Sequence, residues 1–213
     1  DTNVQGTLNV LQAAQDLNVK KIIHTSTSEV YGTPKYLPID ENHPINGQSP
    51  YAASKIGADQ LALSFYQSFG TPVSIIRPFN TYGPRHTYDV VPKFIKMALN
   101  NKPITIHGNG LQSRDLTYVS DAVEAFIKVG KSNKTTQKVI NFGTGKHQTI
   151  IFLAKQIKKL AKSKSKIIHI PVRKAEVQRL TCDFTLCKKL TGWTPKVDII
   201  EGLKKNIEWE KKN

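Results

Sequence analysis

Two short apolar runs do most to limit what this chain can fold into. Residues 20–25 (KKIIHT) and 72–77 (PVSIIR) are too short for helices and show no polar alternation. That is the pattern of strands buried on both faces of a parallel sheet. Parallel neighbours need a crossover, and the chain between the runs supplies one. Residues 51–69 read as a helix, with Pro50 at its start and Gly70 at its end. A further amphipathic helix is predicted over 3–18, where Val4, Leu8, Leu11 and Ala14 fall near helical spacing. The order helix, strand, long loop, helix, strand predicts an α/β fold with a doubly wound parallel sheet. Ligands in such sheets gather at the carboxyl ends of the strands, which here are residues 26–32 and 78–85. Residues 26–50 carry Gly32, Pro34, Pro38, Pro44 and Gly47 and read as one long irregular segment. Long ordered loops in compact domains usually carry function.

The second half changes character, with a boundary expected near residue 80. Helices are predicted over 91–100, 149–162, 184–190 and 199–209, and strands over 104–107, 139–142 and 167–170. Residues 116–129 run from an extended piece into a helix capped near Ser120.

Composition excludes several classes. In 213 residues, 38% are hydrophobic and 22% charged, which argues against disorder, collagen, a coiled coil or a disulfide scaffold. No apolar run approaches the ~20 residues of a membrane span. The net charge of +15 raises the question of nucleic acid. The lysines are scattered, however, and no aromatics interleave with them as a stacking platform requires. No nucleic-acid or membrane partner is therefore expected. The five arginines (77, 85, 114, 173 and 179) are better candidates for gripping an anion. Cys182 and Cys187 are too few for a zinc site, and the six histidines form no helical ligand pair, so no metal is expected. Two thiols without a visible secretory signal fit a cytoplasmic protein. The chain begins at Asp1 and its single methionine is Met97, so it is expected to be a piece of a longer chain.

The residues that could do chemistry cluster at the strand ends. Tyr51 and Lys55 are spaced i, i+4 on one helix and share a face. A lysine ammonium beside a phenol lowers its pKa, and such a phenol can serve as a general base. The pair alone is also what a surface Tyr and Lys look like. Its context is Ser26-Thr27-Ser28-Glu29, which follows the first strand. These hydroxyls could bind a substrate hydroxyl, and Glu29 is a carboxylate placed to act as a base. A self-capping Ser/Thr turn is the alternative for that stretch.

Taken together, NVQGTLNVLQAA (3–14), TSTSEVYG (25–32), SPYAASK (49–55), RPFNTYGPR (77–85), RDLTYVSD (114–121) and GWTP (192–195) resemble the extended short-chain dehydrogenase/reductases. These are the NAD-dependent sugar-nucleotide epimerases and dehydratases. The resemblance runs along nearly the whole chain and implies a partial Rossmann-like doubly wound sheet plus a smaller α/β substrate domain. Residues 1–80 would be the carboxyl part of the NAD-binding domain. Residues 81–213 would mainly bind substrate, with some segments returning to the sheet. The family opens with a strand and a G-x-x-G-x-x-G loop that cradles the dinucleotide pyrophosphate. No such loop occurs in these 213 residues.

Carried over position by position, the resemblance implies that Tyr51 takes the proton from the sugar 4-hydroxyl, Lys55 holds the nicotinamide ribose, and Thr27 bonds the same 4-oxygen. Asn3, Thr25, Ser26, Pro78 and Phe79 would line the cofactor side. Asn80, Arg85, Arg114 and Arg179 would border the sugar and its diphosphate. The family commonly forms homodimers through two helices, one of which matches 51–69. All these enzymes begin by moving hydride from sugar C4 to NAD and differ in the fate of the 4-keto intermediate. Thr27-Ser28-Glu29 stands where dTDP-glucose dehydratases read Thr-Asp-Glu, so the base is present and the usual acid is a serine. UDP-glucuronate decarboxylases also carry Thr-Ser-Glu, and a 4-epimerase needs neither carboxylate. The flanking segments, including AEVQRLTCD (175–183), look like the nucleotide-GlcNAc 4,6-dehydratases of legionaminic-type sugar synthesis. A 4,6-dehydratase is therefore expected, with a 4-epimerase or decarboxylase as the alternative, and a non-catalytic nucleotide-sugar-binding remnant as the alternative of another class.

Overall fold

A computed structural model describes residues 1–172 and 177–213. The two apolar runs form β1 (Ile22–Thr25) and β2 (Val73–Pro78), and they pair in parallel, Ile22 opposite Val73. The crossover between them is helix α2 (Pro50–Phe69). Its ends behave as the sequence predicts. The Ser49 hydroxyl accepts from the Ala52 N–H at 3.0 Å, Pro50 fills the first turn, and Gly70 closes the helix in the left-handed conformation. Helix α1 (Gln5–Asp16) lies beside α2.

The third strand of this sheet comes from the second half of the chain. Strand β6 (Val139–Phe142) pairs in parallel with β2, giving the order β1-β2-β6. Alternation along β2 shows why it carries apolar residues on both faces. Val73 and Ile75 pack under Leu11, Ala62 and Phe65 of α1 and α2. Ile76 turns to the opposite face, against Ala122, Ala125 and Val129 of helix α4 (Val119–Lys131), Phe142 and the fully buried Trp193. A strand covered on both sides has no face to leave polar.

The rest of the chain builds a second core. Strand β3 (Asn80–Tyr82) pairs in parallel with β5 (Ser113–Tyr118), and β5 pairs antiparallel with β7 (His147–Thr149). Strand β4 (Ile104–His107) pairs in parallel with β8 (Ile167–Ile170). Helices α3 (Val90–Leu99), α5 (Ile150–Leu160) and α7 (Ile199–Lys212) close over them, burying Phe94, Ile95, Leu153, Ile157 and Leu203. Helix α6 (Thr185–Thr191) packs on β6. The helix expected to be capped near Ser120 starts one residue earlier, at Val119, directly out of β5 and without a side-chain cap. Asp121 in its first turn ties a distant segment to the helix, accepting from the Lys196 and Val197 N–H groups at 2.9 Å each.

Among the described residues no helix is long and apolar enough to cross a membrane. No group of three or more His, Cys, Asp or Glu residues in that set could hold a metal ion.

Candidate active site

The chain leaving β1 sets one wall of a cleft. Thr27 is extended, and its hydroxyl accepts from the Glu29 N–H at 3.2 Å, starting a 3-10 turn over Ser28–Tyr31. Gly32 ends the turn at φ +62°, and a Cβ there would collide with the Asn46 carbonyl. Val30 and Tyr31 are buried beneath the turn, while Ser28, itself buried, and Glu29 line the cleft. The turn is pinned from below. The Tyr31 hydroxyl donates to Asn141 Oδ1 at 2.8 Å and accepts from Arg77 Nη1 at 3.0 Å.

Glu41 completes this anchor by accepting from the Asn141 N–H at 2.7 Å. Burial pushes its carboxyl up to about 7, partly offset by that hydrogen bond. The folded state therefore favours the neutral acid. The stabilisation is full below the unfolded carboxyl's titration, is lost as pH rises toward 7, and levels off above. For a partly exposed group the loss is on the order of 1–2 kcal/mol. Urea unfolding from pH 4 to pH 8 is expected to show this decline, and Glu41→Gln is expected to flatten it. An unchanged slope in the variant would assign the decline to other groups.

Helix α2 supplies the second wall. Tyr51 leans over the cleft from its first turn, half exposed at 48%. One turn on, the Lys55 ammonium donates to the Thr25 carbonyl at the end of β1. It lines a neighbouring depression of about 380 Å³ together with His24, Thr25, Thr2 and Gly6. The simple expectation of a lysine-lowered phenol is corrected here. Burial raises the Tyr51 phenol, the Glu29 and Tyr88 charges raise it further, and only the Thr27 side chain pulls it down. Lys55 is hydrogen-bonded through its ammonium to a backbone carbonyl and is not among the groups that shift the phenol. Its own ammonium is lowered by burial, opposed by Asp59.

The facing wall is Pro78, Phe79, Asn80 and Thr81, with Arg114 from β5. Arg114 Nη1 donates to the Ser113 and Val177 carbonyls at 2.9 and 2.8 Å, which fixes the guanidinium between two lobes. The first lobe, about 710 Å³, holds Thr25 to Glu29, Tyr51 and Pro78 to Thr81. The second, about 370 Å³, runs back between Phe94, Thr105, His107, Gln112 and Ile150. Both share Asn80, Thr81, His86, Tyr88, Asp89 and Arg114. Burial and the Asp89 charge raise the Glu29 carboxyl, and Arg114 lowers it. Asn80 Oδ1 and His86 Nδ1 are buried without a hydrogen-bond partner among the described residues. Such atoms cost ~1–3 kcal/mol each unless a ligand or water meets them, so this wall is built to receive polar groups.

The structure thus brings together Thr25, Ser26, Thr27, Ser28, Glu29, Tyr51, Pro78, Phe79, Asn80 and Arg114. Lys55 touches the adjoining depression instead. Asn3 is engaged elsewhere, donating from Nδ2 to the Ser54 hydroxyl at 2.9 Å, which ties the start of α1 to α2. Arg85 sits in a turn at φ +69°, is exposed and lines neither lobe. Arg179 is also exposed, with Nη2 3.4 Å from His147 Nδ1, and lines neither lobe. Arg173 lies outside the described residues. Sequence reasoning missed His86, Tyr88 and Asp89. His86 Nε2 lies 3.4 Å from Asp89, and its ring meets Tyr88 edge-on at 4.5 Å. Their only signal was a polar, aromatic HTYD interruption between GPR and the apolar run of α3.

A family model described as GDP-mannose 4,6 dehydratase matches residues 1–206. The chain belongs to that family. It is 37% identical over 220 residues to the dTDP-D-glucose 4,6-dehydratase of Homo sapiens, covering 99% of this chain and 62% of the relative. It is 35% identical over 218 residues to the UDP-glucuronate 4-epimerase of Thermodesulfobacterium geofontis, covering 100% of this chain and 66% of the relative. Among solved structures it resembles dTDP-glucose 4,6-dehydratase from Bacillus anthracis in complex with NAD, at a TM-score of 0.93 and 30% identity. That match covers 99% of this chain and 68% of the other. The chain therefore spans about two thirds of the length of the curated relatives it matches. The α/β fold is the Rossmann type of these epimerases and dehydratases, in partial form.

Proposed function

We propose that this chain carries the substrate-oxidising and nucleotide-sugar-binding part of an NAD-dependent 4,6-dehydratase, a lyase. The observation that carries the reading is the convergence of Thr27, Glu29 and Tyr51 on one lobe whose other end is fixed by Arg114. The sugar lies in the first lobe. Its diphosphate meets Arg114, with the nucleoside in the second lobe, where buried apolar walls and Gln112 suit a base and ribose. Asn80 and His86, with unmet buried polar atoms, face the sugar.

The nicotinamide end of NAD fits the strand-end residues. Thr25, Ser26, Pro78 and Phe79 form the floor, and the Lys55 ammonium stands beside the Thr25 carbonyl, within reach of a ribose hydroxyl. No Gly-x-x-Gly-x-x-Gly loop for the pyrophosphate occurs in these residues. When bound, NAD supplies the hydride acceptor. Tyr51 takes the 4-hydroxyl proton while Thr27 fixes that oxygen. Glu29, raised by burial and by Asp89 and so a stronger base than a free carboxylate, takes the C5 proton. Ser28 is 4% exposed and stands where a dehydratase carries its acid, so it relays a proton through water to the departing 6-hydroxyl. The hydride taken from C4 would then return to C6 while Glu29 gives its proton back to C5, leaving a 4-keto-6-deoxy sugar.

One observation favours a second reading. A buried serine at that position is a poor acid, and an enzyme that needs no acid, a 4-epimerase or a uronate decarboxylase, loses nothing by it. The sugar product of the complete protein separates the two, because dehydration leaves C6 as a methyl group, epimerisation keeps the C6 oxygen, and decarboxylation expels C6 as carbon dioxide. The reading also includes a homodimer and a reducing cytoplasm, where the buried thiols of Cys182 and Cys187 stay free.

A further inference from the structure

Under the floor of the cleft lies a buried charge cluster that the chemistry above does not use. Asp59 of α2 is fully buried. His24 Nε2 of β1 lies 3.1 Å from its Oδ1. Its Oδ2 accepts from the Ser26 hydroxyl at 2.8 Å and from Arg77 Nε and Nη2, on β2, at 3.2 and 2.9 Å. Three elements therefore meet on one carboxylate. Tyr51, Lys55 and Asp59 also follow one another at four-residue steps, so they share a face of α2.

Stability alone is a weak reason for this arrangement. A buried ion pair contributes little net stability relative to well-packed apolar side chains of the same volume, because both charges must leave water. What the cluster does provide is placement. Ser26 leads directly into Thr27 and Glu29, Arg77 continues to the Tyr31 hydroxyl beneath the same turn, and Asp59 sits one turn below Lys55.

We propose that Asp59 is a positioning residue of this site. Its carboxylate clamps the Tyr51–Lys55 face of α2 to the carboxyl ends of β1 and β2, and places a negative charge one turn from Lys55 on that face. The proposal rests on the reading of Lys55 as part of the site. The titratable and charged groups around this point are His24 from β1, Arg77 from β2, Tyr31 from the 3-10 turn, and Tyr51 from α2 itself. Burial works against the charged form of Lys55, and Asp59 is the carboxylate whose field opposes it.

The test is an NMR titration of the Lys55 side chain in the 213-residue chain carrying ¹³C-labelled lysine, with the signal assigned through Lys55→Arg. Asp59→Asn keeps the shape and removes the charge. The expected result is a Lys55 titration midpoint displaced to lower pH, restored toward the original by Asp59→Glu. A purely structural clamp would not move it. Asp59→Asn leaves the buried Arg77 uncompensated, so the double variant Asp59→Asn/Arg77→Gln, which removes both charges, carries the same test if the single variant does not fold. Its midpoint is also expected to fall, by less. A midpoint that is unchanged or higher in a folded variant overturns the proposal. The titration needs neither nucleotide sugar nor turnover, so its outcome is separate from that of the dehydratase reading, which product analysis decides.

Discussion

Tyr51→Phe is expected to lower the turnover of the complete, NAD-loaded protein by ~100-fold or more. The phenol oxygen is the atom that faces both Thr27 and the sugar lobe, and nothing else on that wall can take its place as proton acceptor. The ring itself is half exposed, so losing the hydroxyl should leave stability within about ±0.5 kcal/mol, checked by thermal unfolding. Binding of the nucleotide sugar is assigned to Arg114 and the second lobe, so KM should move far less than kcat. The parent enzyme carries a further mark. Burial and Glu29 hold the phenol up, so its rate should climb with pH through neutrality as the proton-accepting form grows. Near-normal turnover in the folded variant would remove Tyr51 from the reaction.

Glu29→Gln separates the first half of the reaction from the second. The exchange is nearly isosteric, and the Glu29 N–H that holds the turn is a backbone group that the variant keeps. Gln cannot accept the C5 proton. Dehydration should fall by ~100-fold or more, while oxidation at C4 continues and appears as transient near-ultraviolet absorbance of reduced nicotinamide. The same carboxyl gives the parent a second signature. Burial and Asp89 raise its titration, so the dehydration step should lose rate as pH falls through a point above the ordinary glutamate range. If Glu29→Gln dehydrates normally, another group is the C5 base and the case for elimination is lost.

How much of this was legible beforehand follows from where the signals live. β1, β2 and α2 announce themselves because each obeys a local rule: a short doubly buried apolar run, or a helix with Ser49 and Pro50 before it and Gly70 after it. β3 and β7, at three residues each, obey none; they are strands only because β5 lies beside them. The 3-10 turn over Ser28–Tyr31 was hidden for a similar reason, since Tyr31 and Val30 are held by Phe79, Leu180 and Cys182 from distant parts of the chain.

The site divides the same way. Motif order placed Thr27, Glu29 and Tyr51 together, and the cleft does hold them side by side. Spacing could show that Tyr51 and Lys55 share a face but not which acceptor Lys55 would choose. A carbonyl two residues before Thr27 was the nearer partner. Arg85 and Arg179 lie in segments that resemble the family's, yet both are exposed and line neither lobe. Asp59 was not singled out in the sequence, although it is the next step of the Tyr51–Lys55 face. Its importance emerges only when His24, Ser26 and Arg77 arrive from two strands to meet it.

The most direct test is the structure of the sugar released by the complete protein with NAD and a nucleotide hexose, followed by NMR. The account predicts a 4-keto-6-deoxy product, with a methyl signal where the hydroxymethyl group stood. A product that keeps its C6 oxygen, whether inverted at C4 or unchanged, or that has lost C6 altogether as carbon dioxide, would contradict it.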